Sequence, residues 1–164
     1  MATVGTPAAA PALAREEVDF NGLSAIAGFT IHLANLLLYR DFYDRFAGNT
    51  GGLTLGAISV MAVIDANPGI RQGAAAEALL IKRSNMTKLV NRLERGGLVR
   101  RRALGRDRRT VGLHLTAVGR RRLGVMLPQV ATHDAEATAP LTAQERRVLL
   151  GLLAKLVDAK RSGA

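Results

Sequence analysis

Cysteine and tryptophan are absent from this chain. Without cysteine there is no disulfide, no thiolate metal ligand and no thiol redox sensor. Aromatic residues make up only 4% of the 164 residues, so a core has to be built from leucine, valine, isoleucine and alanine, which favours helices. Acidic residues are also scarce, 13 against 23 lysines and arginines, leaving a net charge of +10. An excess of that size points to a polyanionic partner, nucleic acid or a membrane surface. Signatures of catalysis are missing: there is no phosphate-binding loop and no G-x-S-x-G elbow. His32, His114 and His133 are far apart and form no i, i+4 ligand pair. His133-Asp134-x-Glu136 has the residue types of a metal site, but an exposed polar helix end is the preferred reading. The expectation is a non-enzymatic protein without cofactor or metal.

The first residues are rich in alanine and proline and carry no basic cluster ahead of an apolar run, so they do not read as a secretory signal. Residues 1–19 read as a disordered N-terminal tail. The apolar stretch Leu23–Tyr39 approaches membrane-spanning length but contains Ser24, Thr30, His32 and Asn35. Such polar groups are costly in lipid, so a helix buried on most sides is preferred, with a cytoplasmic location and no membrane partner.

Helical spacing of Ile26, Phe29, Leu33, Leu36, Leu37, Phe42 and Phe46 predicts a first helix over residues 20–47, broken by the Gly48-Asn49-Thr50-Gly51-Gly52 run. Thr54 can cap a second helix to Ala66, and Asn67-Pro68-Gly69 forms a turn. A third helix is expected over Arg71–Leu80, and Ile81-Lys82-Arg83 is the next turn. Ser84 sits where it can cap a fourth helix, Asn85–Arg95, which Gly96-Gly97 ends. The period then changes. Leu98–Ala103 and Thr110–Leu115 read as two strands around a polar hairpin tip, Leu104–Arg109. Thr116 can cap a fifth helix that contains Pro128. Thr142 and Glu145 have capping-box spacing at the start of a sixth, whose apolar face carries Leu149, Leu152, Leu153 and Leu156.

Charge is segregated along this plan. Between Arg71 and Arg122 there are fifteen lysines and arginines against three acids, and the rest of the chain is slightly acidic. All the excess therefore falls on a helix-turn-helix, a hairpin and the helix start that follows, the electrostatic footprint of a DNA-binding face. The stretch GIRQGAAAEALLIKRSNMTKLVNRLERGGLVRR, followed by GRDRRTVGLHLT, resembles the winged helix-turn-helix of the MarR family. The flanking helices, two before and two after, follow the same order. The Arg71-Gln72-Gly73 start of the third helix departs from the family's usual polar start and larger residue.

Residue chemistry and resemblance divide the site candidates. Met86, Leu89, Val90 and Leu93 share the face of the fourth helix that should pack on the third. Ser84, Asn85, Thr87, Lys88, Asn91 and Arg92 remain for DNA. Small polar and basic side chains near a recognition helix's N-terminus can reach base edges in the major groove. For Asn85 and Thr87, ordinary capping chemistry is the alternative role. At the tip, Arg106, Arg108 and Arg109 surround Asp107. Arginine suits a narrow, electronegative minor groove. The resemblance implies that Arg109 enters that groove while Asp107 orients the tip. Arg100, Arg101 and Arg102 either touch phosphates or stay solvated. The resemblance also implies a small-molecule site, for which Phe29, His32, Leu36, Tyr39 and Met61 are candidates.

The expected architecture is mainly α: a winged helix-turn-helix with a two-stranded β-hairpin wing, flanked by N- and C-terminal dimerisation helices. Residues 20–52 hold the N-terminal dimerisation helix and loop, 53–116 the DNA-binding domain and 117–164 the C-terminal dimerisation helices. The resemblance implies a homodimeric transcription regulator on a pseudo-palindromic double-stranded operator. Most often such a protein is a repressor, released by an effector such as an aromatic acid or its thioester. A non-sequence-specific architectural DNA binder is the alternative, and a membrane-associated basic protein the third class.

Overall fold

The computed structural model describes residues 20–46, 52–104 and 107–162, with the side chains of residues 107–110 and 162 excepted. The expected tail, the residues of the glycine-rich break before Gly52, Arg106, and the side chains of Asp107, Arg108 and Arg109 lie outside the described residues. Two compact units divide the chain, residues 1–40 and 41–164.

In the first unit a single 3-10 turn, Leu23–Ala25, precedes helix α1, Ala27–Phe46, which runs on into the second unit. The first helix is thus shorter than its apolar spacing suggested. Asn21 and Gly22 both adopt positive φ, which turns the chain just before the 3-10 segment. Thr30 Oγ1 donates to the Ser24 carbonyl at 3.1 Å, and the Phe20 and Phe29 rings lie 5.5 Å apart.

The second unit adds α2 (Leu55–Ala66), β1 (Ile70–Arg71), α3 (Gln72–Ala78), α4 (Arg83–Arg95), β2 (Val99–Leu104), β3 (Asp107–Leu115), α5 (Ala117–Ala137) and α6 (Ala143–Ser162). Thr54 caps α2, its hydroxyl accepting from the Ala57 amide at 3.2 Å. The core gathers Phe42 and Phe46 from the end of α1, Ile58, Met61 and Ile64 from α2, and Met86, Val90 and Leu93 from α4. Val99, Leu113 and Leu115 close it from the sheet, and Leu123 and Met126 from α5.

The sheet has three antiparallel strands in the order β1-β3-β2, one more than the hairpin expected from sequence. The extra strand is only Ile70–Arg71, paired with Leu113 and Gly112, too short to leave a two-residue alternation in the sequence. Val99 pairs with Leu115 and Arg101 with Leu113, so Arg101 shares the inward face of β2 with Val99. Arg100 and Arg102 stand on the opposite face.

Thr116 clasps the hairpin to α5. Its hydroxyl donates to the Gly97 carbonyl at 2.6 Å and accepts from the Gly119 amide at 2.9 Å, and its own amide donates to the Leu98 carbonyl at 2.9 Å. Gly119 is required there, because a Cβ would lie 2.0 Å from the Leu98 carbonyl oxygen. The capping box of α6 is complete. Thr142 donates to the Glu145 carboxylate from its hydroxyl at 2.7 Å and its amide at 2.8 Å, and Glu145 returns its amide to the Thr142 hydroxyl at 3.2 Å. The Thr142 hydroxyl, then its amide, hold the exposed Glu145 carboxyl below its ordinary pKa.

Candidate nucleic-acid interface

The helix-turn-helix is built by two helix ends of the same geometry. At the end of α4, Leu98 N–H bonds to the Leu93 carbonyl and Gly97 N–H to the Glu94 carbonyl, both at 2.9 Å, with Gly97 at φ +67°. This is a Schellman close, with glycine in the left-handed position that the motif favours. At the end of α3 the same pair recurs: Ile81 N–H to Ala76 O at 2.9 Å and Leu80 N–H to Glu77 O at 3.1 Å. Here the left-handed residue is Leu80, at φ +53° and 79% exposed. The third helix therefore stops at Ala78 rather than Leu80. A leucine gives no sequence signal for such a turn. The remaining carbonyl of that last turn, on Ala78, accepts from Arg161 Nη2 near the end of α6.

This turn moves the start of α4 two residues earlier than expected. Lys82 is the N-cap, without a side-chain cap bond, and its carbonyl accepts from the Met86 amide at 3.0 Å. Ser84 is thus not the cap. It lies inside the first turn, where its hydroxyl is exposed. Met86, Val90 and Leu93 are buried and Leu89 is half-buried, as the spacing required.

The six α4 candidates separate by what they already bind. Ser84, Asn85 and Lys88 are exposed and make no side-chain hydrogen bond or ion pair with the described residues. Thr87, Asn91 and Arg92 are exposed but engaged. Arg92 donates to the Gly52 carbonyl ahead of α2. The Thr87 hydroxyl donates to the Arg83 carbonyl and accepts from Gln72 Nε2, both at 2.9 Å. The Asn91 side-chain oxygen accepts from Arg101 Nη2 at 2.9 Å. Arg101 also donates to Gln72 Oε1 at 3.0 Å and pairs with Glu94. Neither a phosphate contact nor solvation was the right expectation for Arg101, whose strand face turns it onto α4. Alternation from Val99 could have revealed this, together with Glu94 at the end of α4.

A groove of about 520 Å³ runs between α3 and α4, rimmed by Arg71, Gln72, Glu77, Arg83 and Thr87. It is open because Gly73 and Ala74 are small, and a Cβ on Gly73 would meet nothing within 4 Å. Arg71 and Arg83 were not singled out from sequence. The charge segregation contained them without ranking them.

The other candidates fall as follows. Phe29 is half-buried on α1, and His32, Leu36 and Tyr39 on the same helix are exposed. Met61, on α2 in the second unit, is fully buried in the core. His133 is not at an exposed polar helix end: it is 8% exposed, edge-on to the rings of Phe42 and Phe46 at 5.7 and 5.9 Å. The acids beside it have cations of their own, Asp134 with Arg146 and Glu136 with Arg45. Among the described residues no group of three His, Asp or Glu side chains could hold a metal ion. None of the described helices is long and apolar enough to cross a membrane.

The MarR family model matches residues 51–110, the whole span from the end of the glycine run to the second wing strand. A Thauera aromatica protein described as a transcriptional regulatory protein for the hcr operon is 34% identical over 140 residues, 85% of this chain and 84% of the relative. The chain belongs to the MarR family. As a MarR-family transcription regulator it has the expected winged-helix fold. Its backbone is similar to that of the transcriptional repressor CouR bound to a 23-mer DNA duplex, with TM-score 0.78 and 34% identity over 86% of this chain and 99% of that one. CouR bound to p-coumaroyl-CoA is also similar, with TM-score 0.75 and 33% identity over 86% and 98% of the two chains.

Proposed function

We propose that this MarR-family regulator is a sequence-specific repressor that binds double-stranded DNA as a homodimer and is released by a small ligand. One observation carries the DNA reading. Ser84, Asn85 and Lys88 project from the first turns of a helix whose opposite face is fully buried, so their polar groups are rigidly presented and unspent. Lysine can bond guanine O6 and N7, asparagine can pair with adenine, and the helix N-terminus favours a phosphate. The neighbouring hairpin supplies Arg106, Arg108 and Arg109 for a minor groove, with Asp107 orienting the tip. A solved structure of the similar repressor CouR on a DNA duplex supports the same use.

The domain plan that follows assigns residues 53–116 to DNA and the flanking helices, over residues 20–52 and 117–164, to dimerisation. Leu149, Leu150, Leu152, Leu156 and Val157 leave α6 with exposed apolar side chains, the kind of surface a second copy can cover. The effector is of the aromatic-acid or thioester class, the chemistry named for CouR. On the first helix its contacts are Phe29, His32, Leu36 and Tyr39. It acts by binding best to a dimer geometry whose two recognition helices no longer match successive major grooves. Footprinting tests the reading together with light scattering: a dimer should protect a pseudo-palindrome with half-sites about 10 bp apart. A monomer at micromolar concentration, or a footprint without dyad symmetry, contradicts it.

A further inference from the structure

We propose that Arg101, on the wing strand β2, fixes the hydrogen-bond polarity of the recognition helix, holding Asn91 as a donor and Thr87 as an acceptor toward the DNA bases. The assignment rests on the DNA reading above and adds to it a residue that touches no base. An arginine side chain can only donate. The Asn91 atom 2.9 Å from Arg101 Nη2 therefore has to be the amide oxygen, and what remains outward is the Nδ2 donor pair. A second branch of bonds leads from the same guanidinium to Thr87. Arg101 Nη2 takes Gln72 Oε1 at 3.0 Å, which turns Gln72 Nε2 onto the Thr87 hydroxyl at 2.9 Å. That hydroxyl spends its one proton on the Arg83 carbonyl at 2.9 Å. Thr87 is left with a lone pair to offer and no proton. Glu94, paired with the other arm of the guanidinium, keeps Arg101 in place.

Three elements meet in this network through one cation: α3 through Gln72, α4 through Thr87, Asn91 and Glu94, and the sheet through Arg101. Without Arg101, Asn91 is free to flip and presents either sense to a base pair. With it, Asn91 favours the acceptor edges of the major groove, such as guanine O6 and N7 or thymine O4, over the cytosine amino group. Arg101 is a positioning residue, and its removal changes which base is chosen without removing a phosphate contact.

The test is a randomised-site binding selection on the full chain, with a salt titration of affinity. It compares wild type with Arg101→Met, Arg101→Lys and Gln72→Met, and with Arg100→Ala and Arg102→Ala, which remove the same charge from the outward face of the same strand. Arg101→Met should flatten preference at one or two positions in each half-site, lowering discrimination there about tenfold. Its salt dependence should match wild type. Arg101→Lys, which can still donate to Asn91, should restore part of the preference. Gln72→Met, which cuts only the Thr87 branch, should relax a subset of the same positions and covers the case in which Arg101→Met fails to fold. Arg100→Ala and Arg102→Ala should lower the salt slope by about one if they sit at phosphates and leave base preference as it is. Unchanged preference in folded Arg101→Met or, failing that, in Gln72→Met overturns the assignment, as does a fall in salt slope for Arg101→Met. A wild-type selection with no enriched site overturns the DNA reading itself, and this assignment with it.

Discussion

Gly119→Ala is the substitution for which the structure gives the sharpest number. The added Cβ would sit 2.0 Å from the Leu98 carbonyl oxygen and 2.9 Å from its carbonyl carbon. A comfortable carbon-to-oxygen contact is about 3.3 Å or more, so backbone has to move by about 1 Å. The same oxygen accepts the Thr116 amide at 2.9 Å, so movement strains the bond that joins the hairpin to α5. Overpacking costs about 1–3 kcal/mol and a weakened hydrogen bond up to ~1 kcal/mol. Alanine's helix preference over glycine returns up to ~1 kcal/mol. The net loss is about 2 kcal/mol, which for a chain of this size lowers Tm by about 4–8 °C. A calorimetric melt reads it directly. Gly56→Ala in α2 is the control, since its Cβ meets only the Thr54 hydroxyl, at 3.9 Å, an ordinary contact. That variant should melt at or slightly above wild type. A Gly119→Ala protein that melts within a degree of wild type would refute the packing of α5 against the hairpin.

Leu80→Gly should leave stability unchanged or raise it by up to ~1 kcal/mol in a denaturant titration, because it relieves a left-handed leucine whose side chain buries almost nothing; a loss of more than that would mean Leu80 makes contacts it lacks here. The α6 capping box should respond to acid in one direction. The Glu145 carboxyl is held below its ordinary pKa, so its contribution is fully present above the unfolded value and is lost as pH falls through the lowered folded one. Glu145→Gln should remove that part of the acid response in melts between neutral and acid pH, and an identical pH profile would count against the box. Arg109→Ala should weaken DNA binding chiefly through A·T-rich flanks of the site, measured on duplexes that differ only there, and equal losses on G·C-rich flanks would remove Arg109 from the minor groove.

Helical periodicity and caps were legible because each rests on local chemistry. Thr54, Thr116, Thr142 and Gly97 do at their helix ends what their residue types do anywhere. The failures share a different cause. Leu80 is held left-handed by bonds from the chain on both sides of it, against its own preference, and so α3 ended early and the cap of α4 passed from Ser84 to Lys82. β1 exists only because β3 lies beside it. His133 is a polar residue in a polar segment, buried by two phenylalanines from a helix about ninety residues away. Three consecutive arginines on β2 look alike in sequence, and only strand alternation separates Arg101 from its neighbours. The site followed the same division. Which helix buries an apolar face and carries the basic one could be read from charge and apolar spacing. Which of its side chains are still available depended on long-range partners such as Gly52, Gln72 and Arg101.

Base reading by the first turns of α4 can be measured in a randomised-duplex selection on wild type beside Asn85→Ala and Lys88→Ala. Both positions are exposed, so both variants should melt like wild type. Wild type should enrich an inverted repeat. Each variant should lose ~1–3 kcal/mol of discrimination at symmetry-related major-groove positions and keep the rest of the site. Folded variants with the wild-type preference would place the reading surface elsewhere, and a wild type that binds all duplexes alike would make the protein an architectural DNA binder instead.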